Sequence, residues 1–293
     1  MDTWTWALGL LLIPILKNLP LIWHFRFFRA LAAGMRIHRK AKPLFQPHHI
    51  FFPAVSTTRS PLTEGDFNLH KSNSTYFTDL DVSRAYLSGI LLGPLFVTGL
   101  NGQRCNLIVG TVACSFRKEI KLYQAYETWT RIASWDNKWI YMVTHFVSRG
   151  TSALPPDVLA LGAGKQTKNE NGKFPQVSPF PTAERAVLAS AVTQFVCKQG
   201  RKTVPPIHAL AASGLLDHTH LGYQHGSLLP PSSSFNHGLQ LDGRASEPET
   251  AIPANVEAMR RKNLPVVQLQ GGWDKIHELF QHEDAILGSH NTI

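Results

Sequence analysis

Hydrophobic and polar positions divide the chain into an apolar start, a regularly patterned middle and a polar end. Residues 3–25 are almost entirely apolar, and about 20 such residues cross the core of a bilayer as a helix. The basic residues that follow stand in a stretch without acids: Arg26, Arg29, Arg36, Arg39, Lys40 and Lys42. Basic residues favour the cytoplasmic side of a membrane. The pattern therefore predicts a membrane anchor over residues 1–30 and a basic linker over residues 31–45, with the main domain in the cytoplasm.

Two other interpretations of this start stay open. Lys17, together with Pro14 and Pro20, interrupts the apolar run, so a half-inserted amphipathic helix is one alternative to a straight span. A buried helix of a soluble domain is the other. A cleaved secretory signal is disfavoured, because Asp2 precedes the apolar run and no typical cleavage site follows it.

The middle of the chain begins with the pattern of a long helix. Apolar residues recur there at helical spacing: Phe77, Leu80, Leu87 and Leu91. Asp79, Asp81 and Arg84 fall off that stripe. The residues from Ser72 to Ser74 suit the N-cap of a helix, so the helix is predicted to begin there. It is predicted to end at a break formed by Gly93-Pro94.

Five segments have strand patterns: residues 50–58, 106–116, 120–135, 138–148 and part of 183–198. The second, third and fourth follow one another over short connections, which is typical of antiparallel hairpins. Residues 183–198 also fit a helix, and we favour a strand because the preceding sheet needs a partner at its edge. Residues 149–181 are rich in Gly, Lys, Pro and Asn and are predicted to be a loop insertion.

The polar end, residues 206–293, is predicted to be a low-order, flexible C-terminal tail. Gly, Ser, Pro and His dominate much of it, and such a composition buries little apolar surface. A weak helix is predicted at residues 273–281, with Trp273, Ile276 and Phe280 on one side.

Composition narrows the classes of function. The formal net charge is +9, but much of the excess stands beside the apolar start, which favours a membrane surface over nucleic acid as the partner. No zinc-finger, helix-turn-helix or RNA-binding pattern is present in the sequence. Three cysteines at irregular spacing form neither a disulfide framework nor a metal motif, and Cys114 and Cys197 are predicted to be buried thiols. No metal or cofactor site is predicted.

The stretch with the most candidate chemistry precedes the long helix and runs from Glu64 to Phe77. A helix N-terminus presents unpaired backbone N–H groups and the positive end of the helix dipole. Asp66 and His70 stand just ahead of it, so the stretch suits an anion or a polarised carbonyl. An ordinary loop followed by a capped core helix fits the same residues.

Two motifs in this part of the chain resemble a known family. Asp66, His70, Asn73 and Tyr76 fit the D-x-x-x-H-x-N-N-x-x-Y pattern that opens the helix in the 4-hydroxybenzoyl-CoA thioesterase-like group. The segment TRIASWDNKWIYMVTHFVS is similar to a strand–turn–strand of the thioesterase-superfamily-member-six-like proteins, and the first motif resembles their fungal branch. The resemblance covers roughly residues 46–205 and implies an α+β hotdog fold, in which an antiparallel sheet wraps around one long helix.

The chain departs from the family pattern at several points. Ser72 stands where the pattern has its first Asn, and Glu64 stands where the family often has Asp. The insertion at residues 149–181 and the tail have no counterpart in the pattern. These differences bear on the substrate and on catalytic competence, and they leave the expected fold intact.

The resemblance also implies roles for individual residues in thioester hydrolysis. Asp66 would act as general base or nucleophile, and His70 would orient a water molecule or Asp66. Backbone N–H groups of Asn73, Ser74 and Thr75 would polarise the thioester carbonyl. The supporting polar residues would be Glu64, Ser72 and Tyr76.

A purely structural alternative exists for each of these residues: turn formation for the two acids, a contact across a dimer interface for His70, helix capping for Asn73 and core packing for Tyr76. Three basic residues are candidates to meet the phosphates of a CoA nucleotide: Arg117, Lys118 and Lys121. A solvated hairpin turn explains the same three residues.

These expectations combine into a membrane-anchored hydrolase of acyl-CoA or carrier-bound acyl thioesters, on the endoplasmic reticulum or another endomembrane, serving lipid or polyketide-type metabolism. Hotdog subunits pair through their sheets, so the resemblance implies a homodimer, and no nucleic-acid partner is expected. One alternative is a non-catalytic hotdog protein that binds acyl groups or partners. Another is a hotdog dehydratase that acts on a 3-hydroxyacyl thioester with His70 as base. A serine thioesterase is disfavoured, because the sequence contains no G-x-S-x-G motif.

Overall fold

The computed structural model describes residues 17, 19–41, 45–150, 154, 157–159, 185–216, 252–282 and 285–292. Three predicted features fall wholly or largely outside these residues: the first part of the anchor (1–16), most of the insertion and the tail residues 217–251. The described residues form one sheet with a long helix on its inner face and shorter helices on its outer face.

The sheet has seven strands: β1 (Ala54–Arg59), β2 (Asn106–Phe116), β3 (Ala125–Trp135), β4 (Trp139–Ser148), β5 (Val187–Gln199), β6 (Lys202–Val204) and β7 (Gly288–Asn291). Their order is β2-β5-β4-β3-β1-β7, and β6 pairs with β5. All pairings are antiparallel except that of β1 with β7. The strands predicted in the middle of the chain are confirmed, including β5, whose sequence also fits a helix.

The hairpin of β3 and β4 turns at Asp136, where the Asp-Asn pair predicts a turn. Asp136 Oδ1 accepts the N–H groups of Lys138 and Trp139, each at 2.7 Å. Its other oxygen, Oδ2, accepts the hydroxyl of Tyr141 at 2.8 Å. One carboxylate therefore closes the turn and fixes the register of the two strands.

Helix α2 (Asn73–Val97) packs against the inner face of the sheet, and helix α1 (Ile22–Ala41) packs against α2. α2 begins where the cap residues predict. The helices run parallel and approach most closely at two glycines: a Cβ on Gly34 would lie 2.3 Å from the Tyr86 carbonyl oxygen, and a Cβ on Gly89 would lie 2.5 Å from that of Leu31. Any larger residue at either position would force the helices apart.

α2 is buried on nearly all sides, which the apolar stripe does not predict. Asp79 and Arg84, off the stripe, are only 3% and 4% exposed, whereas Phe77, on the stripe, is 39% exposed. The reason is α1, which covers the side of α2 that faces away from the sheet. Among the described residues α2 is the one helix long and apolar enough to cross a bilayer, and most of it is buried inside the protein as a core helix.

α2 also continues through Gly93-Pro94, so the predicted break is wrong. A proline has no N–H to donate to the carbonyl four residues earlier, which here belongs to Ile90. His38 of α1 supplies the missing donor, because its Nδ1 lies 2.7 Å from the Ile90 carbonyl oxygen. A histidine from the neighbouring helix thus donates the hydrogen bond that the Ile90 carbonyl cannot receive from Pro94.

The predicted linker differs from the structure, because residues 31–41 continue α1 and belong to the domain. Apart from Arg26 and His38, the buried residues of α1 are small: Ala30, Gly34 and Ala41. On the opposite side of the helix Phe25 and Phe28 are exposed. α1 therefore docks on α2 mainly through small side chains, and a search for large apolar residues does not find such a face.

The C-terminal residues also differ from a low-order tail where the structure describes them. α3 (Pro206–Ala212) follows β6, and α4 (Ala254–Val267) and α5 (Gly272–Glu278) cover the outer face of the sheet. α5 overlaps the weak helix predicted at residues 273–281. Val267 and Ile276 pack with Tyr141 and Val143 of β4, so a few well-spaced apolar residues suffice to dock this segment.

Candidate active site

A short loop between Glu64 and Lys71 carries the two residues predicted to perform chemistry. The ends of the loop are paired, since Gly65 and Lys71 form an antiparallel bridge and the Ser72 N–H donates to the Glu64 carbonyl at 2.7 Å. The Lys71 N–H donates to the Ile120 carbonyl at 2.8 Å and ties the loop to the chain before β3. The loop therefore closes directly onto the first turn of α2.

Asp66 organises this loop through its carboxylate. Oδ1 accepts the backbone N–H groups of Asn68 at 2.9 Å and His70 at 3.2 Å, and the Asp66 N–H donates to the His70 carbonyl at 2.8 Å. Leu69 adopts a φ of +62°, a conformation that leucine rarely takes and that these bonds hold in place. Asp66 thus fulfils the turn-forming role with Oδ1.

His70 is joined to Asp66 through its backbone. The side chain is 36% exposed, and its Nε2 lies 3.7 Å from Glu119 Oε1. The His70 backbone pairs with Lys121 in an isolated bridge. The His70 N–H therefore contacts the Asp66 carboxylate, while the ring stands where solvent reaches it.

The first turn of α2 holds the residues predicted to polarise a carbonyl. Ser72 is the N-cap, and Asn73 and Ser74 are exposed. Thr75 instead turns back onto the cap, because its N–H and its hydroxyl donate to the Ser72 carbonyl at 3.0 and 2.7 Å. The first N–H groups of a helix have no partner within it, so those of Asn73 and Ser74 stand at the exposed start of α2 without a hydrogen bond inside the helix.

Two of the predicted supporting residues lie in the interior. Tyr76 is 2% exposed and packs with Leu80, Ile120 and Phe146, and burial raises the pKa of its hydroxyl above the usual value. Glu64 is 1% exposed and is paired with lysines. Both residues therefore support the loop from beneath and are not placed to touch a substrate.

Sequence reasoning missed a group of five buried charges and one buried tyrosine beneath the loop, here called the ion cluster: Lys17, Arg26, Glu64, Lys71, Asp79 and Tyr126. Each member is at most 7% exposed. The ion cluster joins the chain before α1, α1 itself, both ends of the loop, α2 and β3. The available signal was a charge inside an apolar run, since such a charge requires a buried partner.

Asp79 is at the centre of the ion cluster. Its Oδ1 lies 2.9 Å from Arg26 Nη2 and 3.1 Å from Lys17 Nζ. Its Oδ2 lies 2.9 Å from Lys71 Nζ and accepts the hydroxyl of Tyr126. Burial on its own raises the pKa of Asp79, but the three cations outweigh burial and hold the pKa well below its usual value. Asp79 therefore stays ionised at neutral pH.

The three basic residues proposed for CoA phosphates lie beside the loop. The N–H groups of Arg117 and Lys118 both donate to the Leu188 carbonyl, at 2.8 and 2.9 Å, and Lys121 pairs with His70. All three basic side chains are exposed. The arrangement brings positive charge to the rim of the loop and fits a solvated turn equally.

Among the described residues no three His, Cys, Asp or Glu side chains are arranged to hold a metal ion. The three cysteines are free thiols. Cys197 is buried as predicted, whereas Cys114 is half-buried. Burial raises the pKa of both thiols to about 12, so neither resembles an activated nucleophile.

Several known proteins are similar to this chain in sequence or in structure. YbaW, a probable thioesterase from Escherichia coli, aligns with 54% of this chain and 94% of its own at 13% identity and a TM-score of 0.38. "Thioesterase poxG" of Penicillium oxalicum is 30% identical over 293 residues, covering 94% of this chain and 87% of that protein. "Probable thioesterase YBR096W" of Saccharomyces cerevisiae is 31% identical over 222 residues, covering 72% and 80%. The family model of the thioesterase-like superfamily matches residues 61–235, and the chain therefore belongs to this superfamily of hotdog proteins.

Proposed function

We propose that this protein hydrolyses an acyl thioester, with Asp66 as the residue that activates water or attacks the thioester carbonyl. The observation that carries the proposal is the closure of the Asp66 loop onto α2 through the 2.7 Å bond from the Ser72 N–H to the Glu64 carbonyl. This closure brings a carboxylate and the N–H groups of a helix N-terminus to one short stretch of surface. A base and a carbonyl-polarising group are the two requirements of thioester hydrolysis.

In the base mechanism, Asp66 Oδ1 keeps its bonds to the backbone of Asn68 and His70, and Oδ2 takes a proton from water. The water oxygen bonds to the thioester carbon. The carbonyl oxygen then carries negative charge, which the N–H groups of Asn73 and Ser74 stabilise. Collapse breaks the C–S bond, and the thiol leaves with the proton that Asp66 received.

The proposed substrate is an acyl group on CoA or on a carrier protein, in lipid or polyketide-type metabolism. Three exposed apolar side chains stand on or beside the loop: Phe67 at 94%, Leu69 at 67% and Tyr123 at 52% exposure. Such side chains suit an acyl chain. The exposed basic residues at the rim suit the phosphate that both thioester carriers possess.

We also propose attachment to the cytoplasmic face of an endomembrane, such as the endoplasmic reticulum. Lys17 and Arg26 are held within the ion cluster, so residues 3–16 are what remains of the apolar run. They are too few to cross a bilayer as a helix. An interfacial anchor, the half-inserted alternative, therefore fits better than a membrane span.

The exposed side of α1 supports this attachment. Exposed apolar residues stand directly before this helix and in its first half: Leu21, Phe25 and Phe28. Later in the same helix Arg36, Arg39 and Lys40 are exposed. An apolar half followed by a basic half suits an anionic lipid surface.

A non-catalytic acyl-binding protein is the second candidate. Asp66 already uses Oδ1 to hold its own loop, which is a structural role complete in itself. Ser72 stands where the family motif has an Asn. Both observations fit binding without hydrolysis.

The test is release of free thiol by the full-length chain from short, long and aromatic acyl-CoAs and acyl-phosphopantetheine carriers. Asp66→Asn keeps an oxygen for the loop bonds but removes the base, so we expect a loss of about 100-fold or more. Asp274→Asn, an exposed acid on α5, should keep the full rate. Binding of acyl-CoA without thiol release would favour the second candidate, and an unchanged rate in Asp66→Asn would remove Asp66 from the mechanism.

A further inference from the structure

We infer that the ion cluster is a positioning device for the Asp66 loop, and that Lys17 and Arg26 of the N-terminal segment act on the site through it. The catalytic consequence rests on the proposed function. The effect on the loop itself rests on the geometry alone. Neither Lys17 nor Arg26 needs to touch a substrate for this role.

Two members of the ion cluster, Glu64 and Lys71, are the residues at the two ends of the loop. Their side chains form an ion pair with no exposure to solvent. Next to this pair, the Gly65–Lys71 bridge and the Ser72–Glu64 hydrogen bond join the two ends of the loop. These paired ends (residues 64, 65, 71 and 72) are here called the neck. A change in the distance between Glu64 and Lys71 therefore changes the width of the neck and moves Asp66, two residues further along.

Lys17 holds this neck from outside the loop. Its ammonium group donates hydrogen bonds to the Arg59 carbonyl oxygen at 3.0 Å and to Asp79 Oδ2 at 3.3 Å. It also forms ion pairs with Glu64 Oε1 at 2.9 Å and with Asp79 Oδ1 at 3.1 Å. One side chain thus links the first residue of the neck to α2 and to the end of β1, and its loss would leave Glu64 to Lys71 alone.

Arg26 holds the same arrangement from α1, through its 2.9 Å contact with Asp79. Asp79 in turn contacts Lys71 at the other end of the neck. The N-terminal segment therefore reaches both ends of the loop, one directly through Lys17 and the other through Asp79.

Lys17 is the informative member of the ion cluster. Three cations face two carboxylates, so removal of any one cation leaves two charges of each sign. Among the three, Lys17 is the cation outside the loop that contacts Glu64 directly, so its removal disturbs the neck and leaves the remaining charges balanced. A purely structural ion cluster predicts a change in stability alone. A positioning device predicts, in addition, a looser loop and a lower kcat.

The experiment compares the full-length wild type with Lys17→Met and with the control Lys275→Met, whose pair with Glu278 is exposed. Hydrogen exchange is measured at the amides that close the loop: Asn68, His70, Lys71 and Ser72. We expect about tenfold faster exchange at these amides in Lys17→Met and no change in β3 and β4. We expect kcat to fall by about 10–100-fold with KM within about twofold of the wild type. Lys275→Met should match the wild type in both measurements.

Exchange at the loop amides within about twofold of the wild type would overturn the inference. Fast exchange with an unchanged kcat would overturn its catalytic part. If the wild type hydrolyses no thioester, the proposed function fails, and the exchange measurement still decides the positioning role. Should Lys17→Met not fold, Lys17→Arg is measured against the same thresholds, because a planar guanidinium cannot place a single charged nitrogen between Glu64, Asp79 and the Arg59 carbonyl as the ammonium group does.

Discussion

Arg26 of α1 lies 2.9 Å from Asp79 of α2, and both side chains are almost completely removed from solvent. Asp79→Asn would leave three buried cations against Glu64 alone. We expect it to lower the free energy of unfolding by about 3–5 kcal/mol, measured by urea denaturation. Glu278→Gln breaks an exposed ion pair with Lys275 and should leave the midpoint unchanged. An Asp79→Asn protein as stable as the wild type would contradict the buried charge balance.

His38 and Pro94 form a compensating pair across α1 and α2. His38→Phe keeps an aromatic ring but leaves the Ile90 carbonyl without its donor at 2.7 Å, which we expect to cost about 1–3 kcal/mol of stability. Pro94→Ala supplies an N–H that reaches the same carbonyl within the helix. The double variant should therefore recover most of the loss. Urea denaturation of all four proteins measures the coupling, and simple additivity would argue against compensation.

A buried chain of three polar side chains joins α5 to the sheet. Ser190 Oγ lies 2.9 Å from His145 Nδ1 and 2.7 Å from His277 Nδ1. Burial lowers the pKa of both histidines, with help from Arg131 for His145 and from Arg117 for His277. Below about pH 6.5 the unfolded chain takes up protons that the folded protein does not. The stability from these histidines is therefore present above that pH and lost as the pH falls through it.

Thermal denaturation between about pH 7.5 and 5 should show a Tm that decreases as the pH is lowered. His277→Gln keeps a partner for Ser190 without titrating, so it should reduce the slope. Burial lowers the pKa values of His49 and His290 to about 4. These two histidines act in the same direction, so part of the slope of Tm against pH should remain in His277→Gln. His24→Gln, at an exposed site, is the control. An unchanged slope in His277→Gln would show that this chain of side chains does not carry the pH dependence.

The β2 edge of the sheet exposes apolar side chains: Ile108 at 49%, Val109 at 42% and Phe116 at 40%. An open apolar edge readily pairs with another strand, and we expect two copies to join there. Val109→Lys places a charge on the edge and should convert the dimer to a monomer in light scattering. Val97→Lys, at an exposed apolar position on α2, should stay dimeric. A monomeric wild type would refute the prediction.

Membrane attachment through α1 makes a prediction for vesicle flotation. Each of the exposed Phe25 and Phe28 side chains would contribute about 1.5–3 kcal/mol on transfer into lipid, so Phe25→Ser/Phe28→Ser should weaken binding to phosphatidylserine vesicles by at least about tenfold. Met259→Ser, at an exposed site on α4, should bind as the wild type does. Added salt should weaken the binding of all three proteins, because part of the attraction is electrostatic. Equal binding by the double variant would exclude α1 as the contact.

The sequence predicted the features that neighbouring residues determine. The turn at Asp136 and the start of α2 depend on side chains within a few positions of each other. The ion cluster depends on partners that are far apart, since Lys17 and Asp79 are separated by 62 positions. No periodicity or spacing rule links such residues, so the most unusual part of the site could not be predicted.

The docking of α1 was missed for a different reason. Its closest approach to α2 uses Gly34 and Gly89, and hydrophobic periodicity weighs large side chains, not small ones. The break predicted at Pro94 followed a sound local rule, which His38 of another helix overrides. In both cases the deciding contact is tertiary.

β7 determines how this sheet can grow. It lies beside β1 and is only four residues long, so that end of the described sheet offers few main-chain groups to a neighbour. β2, at the other end, offers eleven residues. A sheet with one usable edge can pair with the sheet of one other copy, and no free edge then remains for a third copy. If two copies join through β2, we expect a closed pair with a twofold axis and no extension into a fibre, because the short strand β7 leaves little edge for a further copy.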